Sequence, residues 1–161
     1  MNAANATSIQ APDLSKQPPR SPRVRLGGYT ILPRVLDKAR ATLAGRQGAY
    51  KFGNPLDGLL FEFAGVTEEN FIAQVRTGSD DAEMLEWLNA QARRNPAEVA
   101  GWSAWTATFT ESGVEGRRWL AAEVERLDAR RTDIHTIFDY LDLDDFASFA
   151  VVSGVLDPAE S

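Results

Sequence analysis

Signals for helix starts recur along this sequence and constrain its fold more than any other feature. Prolines and small polar residues repeatedly stand just before leucine, valine and phenylalanine residues spaced three and four apart. That spacing places the apolar side chains on one face of a helix, and the preceding residue caps or fits the helix start. The pattern predicts an all-α fold of six to seven helices.

The predicted helices follow one another with short connections. The first runs from Pro33 to about Ala44, the sixth spans about 114–129, and the seventh spans 133–141. Between them the predicted starts and stops are Asn54-Pro55 to Gly65, Thr67 to Gly78, Asp80 to a point before Pro96, and Asn95-Pro96 onward through Trp105. Residues 146–156 are apolar and partly β-branched, so a short strand, a final helix and a docking segment all stay open.

One domain is expected, because 161 residues are a common domain length and 43% of them are hydrophobic. Residues 1–12 are small and polar without a period, which predicts a disordered tail, and residues 13–161 form the single helical domain. Its first stretch, 13–30, is rich in proline and arginine and is expected to be irregular. The predicted core consists of Leu36, Leu43, Leu59, Leu60, Phe63, Phe71, Leu85, Leu88, Leu127, Ile137, Phe138 and Leu141.

Composition excludes several kinds of chemistry. Cysteine is absent and His135 is the sole histidine, which rules out disulfides, thiol nucleophiles and multi-histidine metal sites. Asp142, Asp144 and Asp145 lack the spacing of a calcium-binding loop, and no phosphate-binding or dinucleotide-binding glycine motif occurs. We therefore expect no metal and no cofactor. His135 and the four tryptophans are interpreted as an exposed side chain and as packing residues.

The chain is also expected to be cytoplasmic and soluble. No apolar run approaches the roughly eighteen residues that span a bilayer, and residues 1–12 lack the charged and apolar parts of an export signal. A net charge of -6 argues against nucleic acid and membrane surfaces as partners. A homo-oligomer stays open.

Charge is distributed very unevenly along the chain. Between Lys16 and Lys51 there are nine basic residues and one acid, whereas the chain after Lys51 holds eight basic and 21 acidic residues. No lysine or arginine follows Arg131. The basic part and the acidic remainder are expected to attract each other within one domain, which predicts that the loop 20–29 is ordered and packed.

The basic loop also suggests a candidate anion site at the start of the first helix. Arginine forks match phosphate or carboxylate oxygens, glycines allow close backbone approach, and a helix N-terminus favours negative charge. The candidate anion-binding residues are Arg20, Arg23, Arg25, Tyr29, Arg34 and Lys38. The alternative is that these cations pair with the chain's own acids, especially Asp133, Asp139, Asp142, Asp144 and Asp145.

Arg34 and Lys38 lie four residues apart on the first predicted helix, with Asp37 and Arg40 nearby. Spacings of three and four residues usually produce surface ion pairs, so we expect this to be a solvated face. The other interpretation is that Arg34 or Lys38 faces a site.

The segment DLSKQPPRSPRVRLGGYTILPRVLDKARATLAG, residues 13–45, resembles the opening block of the bacterial family called domain of unknown function 5069. The resemblance continues through YKFGNPLD at 50–57, FAGVTEENFIAQVRTGSDDAEMLEWL at 63–88 and RTDIHTIFDYLDLDD at 131–145. It is less clear over 102–116. The resemblance implies a bacterial, intracellular protein; it transfers an architecture and no mechanism.

Two hypotheses for function remain. The first is a non-catalytic binding or interaction module whose basic N-terminal segment meets an anionic small molecule or an acidic protein. The second is a small enzyme acting on a phosphorylated or carboxylated metabolite, with Arg20, Arg23 or Arg25 holding the anion and Asp57 or Asp37 as the acid-base group. An enclosed pocket that places such an arginine beside an acid of raised pKa would favour the enzyme.

Overall fold

The computed structural model describes residues 10–150, which fold into seven α-helices joined by short connections. No strand occurs between these residues, where a single antiparallel bridge joins Leu26 to Tyr29. The all-α prediction is therefore confirmed. The helices are α1 (Leu32–Leu43), α2 (Pro55–Ala64), α3 (Glu68–Arg76), α4 (Asp81–Ala92), α5 (Pro96–Ala107), α6 (Gly113–Asp128) and α7 (Ile137–Ala150).

Most helix starts lie where the capping signals predict them. The Asp80 side chain accepts a hydrogen bond from the Glu83 amide, and the Glu83 side chain accepts one from the Asp80 amide. Asn95 and Glu98 form the same reciprocal pair at α5. These bonds satisfy amides that the first helical turn leaves without a partner, so short sequence motifs determine these boundaries.

Helix α7 differs from its prediction at both ends. It begins at Ile137 instead of Asp133, because the Thr136 hydroxyl accepts from the Asp139 amide while the Asp139 carboxylate accepts from the Thr136 amide. It then continues to Ala150, so the first part of the ambiguous stretch 146–156 is helical. Residues 151–156 of that stretch lie outside the described residues.

Helix α1 is the central element of the fold. Its residues from Leu32 to Ala39 are all buried, and its apolar side consists of Leu32, Val35, Leu36 and Ala39. Of the twelve predicted core residues, six are buried and six partly buried. The buried six are Leu36, Leu60, Phe71, Leu88, Ile137 and Phe138. The core also contains Tyr29, Ile31, Phe61, Val75 and Met84, which the prediction omitted.

In the sequence, Leu56, Leu59, Leu60 and Phe63 have helical spacing, which predicts that they form the buried face of α2. The observed buried face is rotated from that stripe by about one residue. The buried positions are Asp57, Leu60, Phe61 and Ala64, which keep helical spacing but start at the aspartate. The reason is that Asp57 is drawn inward by an ion pair with α1. Leu56 and Phe63 pack at the margin of the core.

Helices α6 and α7 form a second, smaller cluster. Leu120 and Val124 of α6 pack against Leu143 of α7, and Leu127 and Tyr140 contact this group. Phe138, near the start of α7, belongs instead to the main core. Helix α7 therefore connects the two clusters. No described helix is both long and apolar enough to cross a membrane.

Candidate functional site: a groove between the N-terminal segment and helix α7

The N-terminal segment, residues 10–31, is packed on the helices despite its prolines, as its charge predicts. The Thr30 amide donates to the Ser103 hydroxyl at 3.1 Å, and that hydroxyl donates to the Gly28 carbonyl at 2.7 Å. The Ile31 amide donates to the Pro22 carbonyl at 2.9 Å. These bonds connect the segment to α5 and to itself, so it can present side chains in fixed positions.

A strained turn joins this segment to α1. Ile31 has φ of 68° and ψ of -38°, and the Leu32 amide donates to the Thr30 carbonyl at 2.7 Å. This is the geometry of a classic γ-turn, which is rare and strained, and for a β-branched residue it costs on the order of 1–3 kcal/mol. Ile31 is completely buried, and its packing holds the turn in place.

Arg20 anchors the segment to two helices. Its guanidinium contacts Asp37 of α1 at 2.8 Å and Asp81 of α4 at 2.6 Å. Asp81 also pairs with Arg40 at 2.6 Å. Burial alone would raise the pKa of Asp81, but hydrogen bonds from Arg20 and Arg40 outweigh burial and hold that pKa below its ordinary value of 3.8.

A second pair connects α1 to α7. Arg34 contacts Asp145 at 2.7 Å, with side chains that are 4% and 9% exposed. The Tyr50 hydroxyl donates to the same carboxylate at 2.6 Å. Burial and the Asp145 carboxylate together raise the pKa of Tyr50, so the phenol keeps its proton and acts as a donor.

Lys38 forms the deepest pair of the described residues. Its ammonium donates to both Asp57 oxygens at 2.6 and 2.8 Å, and the Gly53 amide donates to Asp57 at 2.9 Å. Burial lowers the pKa of Lys38, and the charge of Asp57 opposes that shift. Neither side chain reaches solvent, so this pair contributes to structure and not to a ligand contact.

The expectation of a solvated face for Arg34 and Lys38 is wrong. Arg34, Asp37 and Lys38 are 3%, 8% and 1% exposed, because the N-terminal segment, residues 46–54 and α7 cover this side of α1. Their partners are remote in sequence instead of three or four residues away. Each buried charge therefore joins α1 to a different part of the chain.

Arg23 is 44% exposed, more than Arg20, Arg34 or Arg40. It contacts Asp139 through Nη2 and Asp142 through Nε at 3.3 Å. Burial alone would raise the pKa of Asp139. Hydrogen bonds from the backbone amides of His135 and Thr136, a hydrogen bond with the Thr136 side chain and the charge of Arg23 together lower that pKa. One arginine thus faces two carboxylates, and the α7 surface keeps an excess of negative charge.

The structure disperses the candidate anion-binding residues. Arg20, Arg23, Arg34 and Lys38 all pair with internal carboxylates, which is the alternative that the sequence left open. The Tyr29 hydroxyl donates to Asn89 at 3.0 Å. Arg25 is exposed, and its side chain has no ion pair or hydrogen bond within residues 10–150.

Backbone amides just before and at the start of α1 have acceptors within the protein. The amides of Tyr29, Thr30, Ile31 and Leu32 all donate to protein acceptors, and Ile31 and Leu32 are 0% exposed. These donors are not directed toward solvent. Binding of an external anion by the six candidates stays a prediction, and Arg25 is the candidate whose guanidinium has no partner within residues 10–150.

A groove lies between the N-terminal segment and α7, and it has two halves. The apolar half has a volume of about 320 Å³, with prolines on one wall and phenylalanines of α7 on the other. The polar half has a volume of about 240 Å³ and contains Arg23 and Arg131. Asp142 and Phe146 line both halves, so the two halves adjoin at these residues. We call this the α7 groove; its apolar half is lined by Pro18, Pro19, Ser21, Asp145, Phe149 and Ala150 besides the shared pair.

Negative charge dominates the polar half. Its cations are Arg23 and Arg131, and its acids are Asp133, Asp139 and Asp142. Arg131 pairs with Asp133 at 2.7 Å, which leaves Arg23 to balance the other two acids. The Asp142 side chain is 37% exposed and has a single 3.3 Å contact. Asp142 is therefore the carboxylate most available to a ligand in this groove.

The acid-base groups named by the enzyme hypothesis lie outside the α7 groove. The acid with a pKa raised by burial and by the neighbouring Asp145 is Asp144, which lines neither half of the groove. Asp57 and Asp37, the proposed acid-base groups, are buried in ion pairs. Within residues 10–150 no three acidic or histidine side chains gather as metal ligands would.

Sequence reasoning named Asp142 only as one member of an acidic run, and it did not identify Phe146, Pro18 or Pro19 as groove residues. One signal was available, because Asp142 and Phe146 are four residues apart and a helix through both places them on one face. That inference required a helix that continues beyond Leu141, whereas the predicted seventh helix ends there.

Comparison with known proteins identifies a family and no activity. No curated protein matches the chain. The family model described as "Domain of unknown function (DUF5069)" matches residues 16–147, which include the ion pairs described above and nearly all of the groove. The chain belongs to the DUF5069 family.

Proposed function

We propose that the chain is a cytoplasmic, non-catalytic interaction module whose α7 groove binds a segment carrying a basic side chain next to an apolar one. The observation that carries this proposal is the position of Asp142. Asp142 lies where the apolar and polar halves of the groove meet. Its one contact is at 3.3 Å from Arg23, which also pairs with Asp139, so the charge of Asp142 is incompletely neutralised.

The apolar half supports the same ligand chemistry. Phe146 of α7 is 55% exposed and lines both halves of the groove. Exposed apolar surface rimmed by polar groups is typical of interaction sites. A ligand with an apolar group would cover Phe146 and Phe149 while its cation approaches Asp142.

Local charge favours a cation over an anion here. An anion in the polar half would displace carboxylates from Arg23 and Arg131 and would lie beside three acids. Asp139 and Asp142 carry two negative charges and share the single positive charge of Arg23. A guanidinium or ammonium group of a ligand would supply a second positive charge. The anionic ligand expected from the basic N-terminal segment therefore has less support at this groove than a basic one.

Thermal unfolding in the presence of small probes tests the proposal. N-acetyl-valyl-arginine amide should raise the melting temperature at low salt, because a ligand that binds the native state stabilises it by mass action. High salt should reduce the shift. N-acetyl-valyl-glutamate amide and inorganic phosphate should produce a smaller shift or none.

The control variants lie on the same helix. Asp142→Asn should abolish the shift with the arginine peptide, whereas Asp144→Asn, at a carboxylate of similar exposure outside the groove, should preserve it. An equal or larger shift with phosphate or the glutamate peptide would overturn the proposal and favour the anion site.

A further inference from the structure

Two surfaces beside the α7 groove complement each other. On the N-terminal segment, Val24 is 42% exposed, and the next residue, Arg25, is exposed without a partner among residues 10–150. On α7, Phe146 is 55% exposed and Asp142 is incompletely neutralised. The first surface supplies an apolar group and an exposed cation, and the second supplies an apolar group and an available carboxylate.

These surfaces are neighbours in one molecule. Arg23, which directly precedes Val24, contacts Asp142 and Asp139, so the loop and α7 are held side by side. Val24 also donates its amide to the Ser21 carbonyl at 3.1 Å, which fixes the turn that presents it. A surface that contains both halves of a complementary contact, side by side, can pair with itself about a two-fold axis.

We infer that the α7 groove binds a second copy of this chain, with Val24 and Arg25 of each copy against Phe146 and Asp142 of the other. This inference rests on the proposed function of the groove and names its partner. A two-fold arrangement forms both contacts at once, because residue i of one copy meets residue j of the other and the reverse. The complementary charges also determine the register.

The patch is small, and this determines the strength of the dimer. It contains two exposed apolar residues and one new ion pair per copy, which is typical of weak and transient interfaces and not of obligate ones. Self-association should therefore depend on concentration in the micromolar to millimolar range. Sedimentation equilibrium over that range measures it.

Charge reversal provides a test that separates folding from association. In a dimer of Arg25→Asp, two acids face each other at both contacts, and in a dimer of Asp142→Arg, two cations face each other at both contacts. The dissociation constant of each variant alone should therefore rise at least about tenfold. Mixed in equal amounts, the two variants should form a heterodimer of about wild-type strength, because both contacts regain opposite charges. Arg76→Asp, the same change at an exposed cation on α3, should dimerise like the wild type.

Several results would overturn the inference. They are a monomeric wild type throughout the concentration range, undiminished dimerisation of Arg25→Asp, and a mixture that associates no better than its components. Circular dichroism of each variant verifies that it is folded. If the wild type is monomeric while the arginine peptide still raises its melting temperature, the groove binds a basic segment of another protein, so the proposed function stands and the second copy is excluded.

Discussion

Lys38 and Asp57 are 1% and 0% exposed, and every polar atom of this pair has a partner within the fold. A buried ion pair gains little over an apolar pair of the same volume, because desolvation offsets much of the attraction. Its value lies in specificity: an unpaired charge at either position is unfavourable, so α2 can dock on α1 in few other registers. This explains why the buried face of α2 begins at an aspartate.

Removing one member of this pair should therefore be far worse than removing both. Lys38→Met leaves Asp57 buried without its cation and should lower the free energy of unfolding by roughly 3 to 5 kcal/mol. Lys38→Met combined with Asp57→Asn, which keeps an acceptor for the Gly53 amide, should recover most of that loss. Urea denaturation measures both. Equal destabilisation by the single and the double variant would show that the pair does not act as a unit.

The backbone conformation of Ile31 could not be predicted from the sequence. A β-branched side chain in the left-handed region is disfavoured locally, and it persists because complete burial and the bond from the Ile31 amide to Pro22 hold it. The local preference of an isoleucine is for a negative φ. Only the tertiary structure reveals this turn, which joins the N-terminal segment to α1.

At the scale of the elements, the starts of α2 to α5 were predictable because their signals are local. Proline, the capping residue and the partner three residues later all act within one turn. The α7 start was also encoded locally, in Thr136 and Asp139. Its extension to Ala150 was not, because FASFA is apolar without a clear period, and burial of Ala150 and Phe149 depends on neighbours.

The polar side of α1 could not be predicted for a related reason. Arg34 has its partner 111 residues away and Lys38 has its partner 19 residues away, whereas sequence spacing reveals only neighbours within a helix. The charge asymmetry correctly indicated that basic and acidic parts attract. It could not indicate which arginine would meet which acid, or that the resulting groove would be acidic.

The rotation of α2 makes a prediction at this scale. Leu60 is 0% exposed while Leu59 is only partly buried, although the sequence stripe contains both. Leu60→Ala should cost roughly 2 to 5 kcal/mol, as for other fully buried leucines, and Leu59→Ala should cost less than half as much. Chemical denaturation of the two variants compares them directly. Equal costs for the two variants would mean that α2 presents the predicted face and not the observed one.

For the molecule as a whole, α7 has the most varied role. It reaches the main core through Phe138, the small cluster through Leu143 and the polar face of α1 through Asp145. It also provides one wall of the groove. Helix α6, in contrast, buries only Leu120 and Val124 along 16 residues, and both lie in the small cluster. Stability should therefore be unequal across the chain, lowest in α6 and highest in α1.

Hydrogen exchange should reveal this inequality. Amides of α6 should exchange faster than those of α1, because α6 can separate from α7 without opening the main core. Val124→Ala removes two buried methyl groups at about 0.8 kcal/mol each, so exchange in α6 should accelerate about tenfold while exchange in α1 is unchanged. Arg118→Ala, at an exposed position of the same helix, should change neither. If Val124→Ala accelerates α1 and α6 equally, then the two clusters unfold together, and α7 transmits every loss in the small cluster to the core.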